Sequence, residues 1–391
     1  MTGLHVAIDA RLPDEGQGGV LSVLKAMAAA FSSHRYADFR RTWVVLKQAN
    51  WWRELLPAGD TTVEVSLPAG SVAAKIPSVS SRLAPTVLRL LGDRPYLDPV
   101  LMARGVQVVH LPYQDAVMTE LPFVYFPHDL QHHHLPHFFT DAQIRHRETR
   151  WRKRAVAATC VVAAGQHVKR DLESLWGIER DKIVVYPFPS PPRLNPSQTS
   201  PYAFSEPYVM YPSVFWPHKN HERLVEAFAI LRSRGMNFRL ALTGARGSSF
   251  TATMRKIERL GVADTVHYYG HVSEAELSRL IQDSAGVVIP SLFEAVSLTA
   301  FDAMRFNRPI VCSDREFFRE QCGESAEYFD PLDTSSIASA IELALSKSQQ
   351  KPSPMLCAGD QSALSLEAFA NNLLNSYEFC RQRSSNRSRN Q

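Results

Sequence analysis

Short apolar runs alternate with amphipathic segments along most of this chain. The runs have strand length and are rich in valine, isoleucine and aromatic residues. In the first half of the sequence they lie at residues 4–9, 43–46, 106–111, 123–126, 160–164 and 182–186. Helical or mixed patterns separate most of them, an alternation that is typical of a doubly wound, mostly parallel α/β sheet.

A proline- and serine-rich stretch, PFPSPPRLNPSQTSPYAFSEP, interrupts this pattern at residues 187–207. Proline at this density cannot continue a helix or a central strand, so the stretch is interpreted as a linker. Strand and helix patterns then resume, with helices predicted over 220–234, 249–260 and 273–284. The predicted organisation is an N-terminal domain at 1–187, a linker at 188–206, a C-terminal domain at 207–361, a C-terminal helix at 362–382 that packs back on the first domain, and a disordered basic tail at 383–391.

Length and composition agree with two soluble domains, since 391 residues suffice for two separate cores. A formal charge of +4 permits an anionic substrate or lipid headgroup and does not argue for nucleic acid. Five scattered cysteines without a CxxC pair favour a reducing cytoplasm. Because no signal-peptide pattern opens the chain and no apolar run nears the roughly 18 residues that span a bilayer, we expect any membrane contact to be peripheral, at the inner face of the membrane.

Residues 285–314 carry the most informative pattern, strand–loop–helix–strand. Glu294 lies in the loop, and Asp302 lies one to two turns into a helix that starts near residues 297–299. The first helical turn, with Leu298 and Thr299, leaves amide N–H groups unpaired, which favours an anion. From the spacing alone, an ordinary buried βαβ unit with two surface acids is an equally good interpretation.

This stretch resembles the E-x7-E signature of retaining, GT-B-fold glycosyltransferases of family 4. The second acid here is Asp302 instead of Glu, and Ala295 and Ser297 replace the usual glycines. The matching positions are Pro290, Ser291, Glu294, Leu298, Ala303 and Met304.

The resemblance implies two Rossmann-like domains that face each other across a cleft, the first for the acceptor and the second for a nucleotide sugar. It implies retaining transfer of mannose or a similar hexose from a GDP-, UDP- or dTDP-linked donor to a glycan or lipid-linked acceptor in lipopolysaccharide or exopolysaccharide synthesis. No D-x-D sequence occurs, so we expect neither a metal nor another cofactor. The alternatives are a degenerate, non-catalytic GT-B binding protein and a nucleotide-sugar epimerase or hydrolase.

The resemblance also assigns donor-binding roles. Gly18 and Gly19 match the family's glycine pair beside the donor diphosphate, although a tight turn is the ordinary interpretation of this loop. Lys219 matches the lysine that neutralises the donor phosphates, and Val214 stands where the family has arginine. Arg246 is a candidate substitute for that arginine.

In the same resemblance Glu294 orients the donor sugar, the amides of Leu298 and Thr299 hold the diphosphate, and Asp302 accepts hydrogen bonds from the ribose. Lys219, Glu294 and the tip of this helix are expected to share one crevice with Gly19 and His128.

Histidines are concentrated at residues 123–139, FVYFPHDLQHHHLPHFF. A metal site is one interpretation, but adjacent side chains such as His132 and His133 are expected to diverge, so we predict no metal. His128 matches the family's histidine beside the donor sugar, where a neutral imidazole can hydrogen-bond a sugar hydroxyl or a backbone carbonyl.

Two further segments suggest a membrane or a lipid-diphosphate acceptor. Residues 145–154, RHRETRWRKR, are strongly basic, and residues 83–94 form a short amphipathic pattern. A solvated helix face and a core-packed helix are the respective alternatives.

Overall fold

The structure is a computed structural model in which the chain forms two compact units. Unit 1 comprises Met1–His133, Phe139–Pro191 and Ser362–Gln391, and unit 2 comprises His134–Phe138 and Pro192–Gln361. The structure describes residues 3–14, 18–33, 36, 39–66, 95–116, 118–186, 188–189, 206–348 and 365–389.

Unit 1 contains a parallel sheet with the order β3-β2-β1-β4-β5-β6-β7. The central strand β1 is buried along its whole length, as expected when helices cover both faces of a parallel sheet. Its Ile8 pairs with Trp43 on one side and His110 on the other. The strands are β1 His5–Ala10, β2 Arg40–Leu46, β3 Thr61–Val65, β4 Val108–Leu111, β5 Phe123–Tyr125, β6 Cys160–Ala163 and β7 Ile183–Val185.

The helices along the N-terminal half of the chain are mostly short. A π-helical turn, Arg147–Trp151, lies between two of them. The helices are α1 Gly18–Phe31, α2 Asp98–Ala103, α3 Gln131–His134, α4 Asp141–His146, α5 Arg152–Ala157 and α6 Gln166–Ser174.

Unit 2 contains a second parallel sheet with the order β10-β9-β8-β11-β12-β13. Its strands are β8 Tyr208–Pro212, β9 Arg239–Thr243, β10 Val266–Tyr268, β11 Gly286–Ile289, β12 Ile310–Ser313 and β13 Ala326–Phe329. Its helices are α7 His221–Ser233, α8 Phe250–Arg259, α9 Glu274–Asp283, α10 Leu298–Arg305, α11 Glu316–Cys322 and α12 Thr334–Ser348. Two doubly wound parallel sheets confirm the predicted fold class.

The last helix, α13 Leu366–Arg389, packs on unit 1. Phe369, Leu373 and Tyr377 are buried, and the Tyr377 hydroxyl lies 2.7 Å from Nδ1 of His110 on β4. The helix continues to Arg389, beyond the end predicted at residue 382. Residues 383–389 contain neither glycine nor proline, so nothing in their backbone chemistry ends the helix.

The predicted amphipathic pattern at 83–94 and most of the predicted linker at 188–206 lie outside the described residues. Strand β3, TTVEV, is an addition that the apolar runs did not predict. Four of the five cysteines are described, and all four are free and buried. Within the described chain, no helix is both long and apolar enough to cross a bilayer.

Candidate functional site

The reversal of strand order in unit 2 falls between β8 and β11, which are parallel neighbours in the sheet. After β8 the chain continues to β9 on one side of this pair, and after β11 it continues to β12 on the other side. The two connections therefore run in opposite directions along the sheet. Ligands of doubly wound sheets bind at this switch point, beyond the carboxyl ends of the strands. Lys219 lies in the loop after β8, and Glu294 lies in the loop after β11.

Lys219 and Glu294 form an ion pair, with Nζ on Oε1. The lysine side chain is 18 % exposed and the glutamate side chain is 12 % exposed. Neither charge is fully hydrated, so each interacts more strongly with a charged partner than a surface residue would. The structure therefore brings together two of the predicted site residues, which are 75 positions apart in the sequence.

Hydrogen bonds fix the two loops to each other. Leu292 N donates to His218 O at 2.7 Å. The Tyr211 hydroxyl donates to Lys219 O at 3.0 Å and lies 3.0 Å from Ser291 Oγ. Burial, with a further contribution from the Glu294 charge, raises the pKa of Tyr211, so this hydroxyl stays protonated as a donor.

Asn220 connects three strand ends. It has left-handed backbone angles, φ 60° and ψ 32°, immediately before α7. Its side-chain amide donates to Pro290 O at 3.0 Å and to Pro331 O at 2.8 Å. The loops after β8, β11 and β13 are therefore held together by one side chain, whose only sequence signal is the tolerance of asparagine for left-handed geometry.

Helix α10 begins where the sequence predicts it to begin. Ser297 is its N-cap, and its hydroxyl accepts a hydrogen bond from Ala300 N at 3.3 Å. Gln321 holds this cap in place, since its Oε1 accepts from Ser297 N at 2.9 Å and its Nε2 donates to Ser297 O at 2.7 Å. Leu298 and Thr299 form the first helical turn, whose N–H groups have no partner within the helix itself.

Asp302 is buried, as are its neighbours along α10. It is 1 % exposed, so it is not a surface acid, and Glu294 is also largely covered. Residues 285–314 do form a βαβ unit, but the alternative that its two acids lie on the surface is wrong. A ribose contact by Asp302 requires movement of the residues that cover it.

Arg246 lies in the loop after β9 and is exposed. Its guanidinium carbon lies 4.8 Å from the centroid of the Phe250 ring and 6.0 Å from that of Tyr268, within cation–π range. The preceding Gly244 approaches the loop after β8 so closely that a Cβ would lie 2.2 Å from Ser213 O. The two loops are in contact, but Arg246 packs on aromatic rings and is not part of the Lys219–Glu294 pair.

In unit 1 the predicted glycine pair lies at the start of α1, after β1, which borders that unit's own strand-order reversal. Gly18 and Gly19 are its first two residues. Among the described residues, no atom comes within 4 Å of a Cβ built on Gly19, so this face of the backbone is open. An exposed helix start with bare backbone suits an approaching phosphate.

His128 lies in the loop that follows β5, with positive φ of 66°. Its ring stacks on Phe126 at 4.1 Å, and Nε2 lies 2.9 Å from Pro112 O. Because a carbonyl only accepts, Nε2 carries the proton, and Nδ1 of the neutral ring is an acceptor. Burial lowers the pKa of His128, which keeps the ring neutral at physiological pH.

The histidine run corrects one expectation. His132 Nε2 and His133 Nε2 lie 2.6 and 2.8 Å from the same atom, Oε1 of Glu148. Adjacent side chains therefore converge here, because α3 is a single turn and Glu148 lies opposite it on the π-helical turn Arg147–Trp151.

The basic segment 145–154 is only partly solvated. Arg154 is buried and donates to Ala116 O at 3.0 Å, and Arg147 lies over the rings of Phe139 and Trp151. The exposed basic residues of the segment are Arg145, Arg152 and Lys153.

Sequence comparison relates both halves of the chain to sugar transferases. The family described as Glycosyl transferases group 1 matches residues 199–355, and Glycosyltransferase Family 4 matches residues 46–188. The O-antigen chain mannosyltransferase B of Escherichia coli is 24% identical over 223 residues, and the O-antigen chain mannosyltransferase RfbU of Salmonella typhimurium (strain LT2) is 24% identical over 218 residues. Each match covers 55% of this chain and 58% of the relative, so the chain spans little more than half the length of these curated relatives.

Among solved structures, Anabaena Alr3699/HepE in complex with UDP and glucose resembles the chain with a TM-score of 0.61 at 16% identity, over 98% of this chain and 99% of that one. The pair of doubly wound sheets and this likeness show the GT-B fold. The two family matches span most of the sequence, one in each half. The chain belongs to the family-4 type of glycosyltransferases.

Proposed function

We propose that the chain transfers a hexose, with mannose as the first candidate, from a nucleotide-diphosphate sugar to a glycan or lipid-linked acceptor during synthesis of a surface polysaccharide such as lipopolysaccharide. The observation that carries the proposal is the Lys219–Glu294 pair at the switch point of unit 2. The mannosyltransferase relatives and a structural neighbour that binds UDP support the class of donor.

The proposed chemistry centres on the leaving diphosphate. Negative charge grows on its oxygens as the sugar departs, and preorganised donors that face this charge lower the barrier. Lys219 and the amides of Leu298 and Thr299 supply those donors within unit 2. When a phosphate takes the lysine from Glu294, that carboxylate becomes available to position the donor sugar.

His128 has a positioning role in this proposal. With Nε2–H fixed on Pro112 O, Nδ1 accepts a hydrogen bond from a sugar hydroxyl. Transfer proceeds with retention and without a metal, in agreement with the absence of a D-x-D sequence. The exposed residues Arg145, Arg152 and Lys153 suit a lipid-linked acceptor at an anionic membrane surface on the cytoplasmic side.

Nucleotide binding by Lys219 variants tests the proposal. Isothermal titration with GDP, UDP and dTDP is expected to give measurable binding of at least one nucleotide. Lys219→Met should weaken that binding by about 10- to 100-fold, the value of a charge-assisted hydrogen bond to phosphate. Lys219→Arg should retain part of the affinity because the positive charge remains.

The matched control is Lys182→Met. Lys182 has a similarly covered side chain, 15 % exposed, and pairs with Glu179 at 3.5 Å in unit 1, directly before β7. Its loss should leave nucleotide affinity unchanged. Equal binding by Lys219→Met and the unmodified chain, or no binding of any of the three nucleotides, would rule out this donor site.

A further inference from the structure

A second cluster of chemically active side chains lies in unit 1, at His132, His133 and Glu148. The two imidazole Nε2 atoms and a carboxylate oxygen of Glu148 all lie within 4.8 Å of one another. The His132 side chain is 1 % exposed, whereas those of His133 and Glu148 are each 28 % exposed. The cluster is anchored in the core on one side and open to solvent on the other.

Three hydrogen bonds in the cluster converge on one oxygen atom. Oε1 of Glu148 accepts from Nε2 of His132, Nε2 of His133 and, at 3.0 Å, Nε1 of Trp176. Three donors therefore share a single oxygen. A cation at the centre would replace both histidine N–H groups at this atom and use the imidazole lone pairs instead.

Distances and donor types fit a borderline transition metal. Zinc takes imidazole nitrogen at 2.0–2.1 Å and carboxylate oxygen at 2.0–2.2 Å, so tetrahedral ligands stand about 3.3 Å apart. The present N···O separations of 2.6 and 2.8 Å need to open by about half an ångström or slightly more for such an ion to enter. Two nitrogens and one oxygen disfavour Mg²⁺ and Ca²⁺, which select oxygen.

His132 can release its Nε2 lone pair for the ion by moving its proton to the other ring nitrogen. Its Nδ1 is buried and has no hydrogen-bond partner among the described residues. When its proton moves from Nε2 to Nδ1, the only bond that His132 loses is the one to Glu148, which the ion replaces.

Two arginines lie close enough to lower the affinity of the cluster for a cation. Arg152 reaches Oε2 of Glu148 at 4.0 Å, but its side chain is 47 % exposed and can move into solvent. Arg147 lies 3.9 Å from Asp129 and packs on aromatic rings.

We propose that His132, His133 and Glu148 bind a divalent transition-metal ion, best matched by zinc, with water in the fourth position. The ion would link α3 to the π-helical turn Arg147–Trp151 and would stabilise unit 1. It lies outside the proposed transfer chemistry, which uses no metal. The proposal does not depend on the proposed function.

Titration of the chelator-treated, tag-free full chain with Zn²⁺ tests the site. The expected result is one equivalent bound with micromolar or tighter affinity, together with an increase in melting temperature. Co²⁺ should give the visible absorption of a nitrogen- and oxygen-ligated four-coordinate ion without a thiolate charge-transfer band. Mg²⁺ at the same concentration should produce neither effect.

Substitutions locate the ion. His133→Ala and Glu148→Gln should each weaken zinc binding by at least tenfold and abolish the increase in melting temperature. His137→Ala, which removes an exposed histidine near the run, should change neither. His133→Ala keeps the His132–Glu148 hydrogen bond, so loss of zinc affinity with an unchanged circular dichroism spectrum reports ligation and not unfolding.

The proposal is overturned if no zinc binds, if zinc binds equally to both site variants, or if the cobalt spectrum shows thiolate ligation.

Discussion

At the scale of single residues, His221 shows how burial turns an ionisable side chain into a pH-dependent contribution to stability. Its ring stacks on Phe215 with centroids 4.0 Å apart and an interplanar angle of 16°. Burial, with a smaller contribution from the Lys219 charge, lowers the pKa of His221 to about 3. The unfolded chain binds a proton near pH 6.5, whereas the folded chain does not, so folding stability rises with pH across this window and falls as the pH drops below 6.5.

His221→Phe should reduce this acid sensitivity while keeping the aromatic stack. Between pH 7.5 and 5.5 the unmodified His221 should cost about 1.4 kcal/mol of unfolding free energy, and the variant should lack that loss. Urea denaturation at the two pH values measures the difference. His137→Phe, at an exposed position, should keep the original pH dependence. Identical pH slopes for His221→Phe and the unmodified chain would show that His221 takes up its proton equally in the folded and unfolded states.

Residue types and spacing predicted which side chains to consider, but not which of them meet. Lys219 and Glu294 were both identified from the sequence, yet their ion pair arises from the pairing of β8 with β11, which periodicity does not specify. His132 and His133 were expected to diverge because nothing local indicates that Glu148, on another turn, attracts both rings.

At the scale of elements, the loops after parallel strands form a connected unit through buried hydrogen bonds. Asn220→Ala removes the bonds to Pro290 O and Pro331 O and places alanine in left-handed geometry. The substitution also removes the hydrogen bond that Oδ1 accepts from Arg223 Nη1 at 3.0 Å. The expected loss is about 4 kcal/mol, from three hydrogen bonds near 1 kcal/mol each and a backbone cost of about 1 kcal/mol. Chemical denaturation measures it.

Asn220→Gly separates these two contributions. Glycine adopts φ of 60° without strain, so only the three hydrogen bonds are lost, and the expected cost falls to about 3 kcal/mol. A glycine variant that is less stable than the alanine variant would show that the left-handed strain of alanine is smaller than the extra backbone entropy that glycine loses on folding.

Strands with continuous apolar runs were predictable, whereas β3 was not. Its sequence TTVEV has one buried apolar residue, Val63, and the strand lies at the edge of its sheet. An edge position needs little apolar surface, so the hydrophobic pattern is weak there. The start of α10 was predictable because Ser297 is a typical cap, but Gln321 was not, since it bonds to that cap from a helix 24 residues further on.

At the scale of the whole molecule, the chain forms most of unit 2 with Pro192–Gln361 and then returns to unit 1 through α13. Polar residues dominate this helix, and its apolar positions predict only that one face is buried. The surface on which this helix packs is known only from the structure. Tyr377 is fully buried, hydrogen-bonds to His110 on β4 and stacks on Phe39, so unit 1 is completed by residues more than 260 positions away from that strand.

Tyr377→Ala should therefore destabilise unit 1 selectively. Removing a buried aromatic ring costs about 3–5 kcal/mol, and the hydroxyl bond to His110 is lost with it. Native-state hydrogen exchange followed by mass spectrometry should show faster exchange in β1, β4 and β5, with unchanged protection in β8, β9 and β11. Tyr377→Phe keeps the ring and should cost only about 1 kcal/mol. Arg381→Ala removes an exposed residue of the same helix that pairs with Glu378, so it should leave both patterns unchanged. Unaltered exchange in β1 and β4 of Tyr377→Ala would mean that the strands of unit 1 hold together without α13.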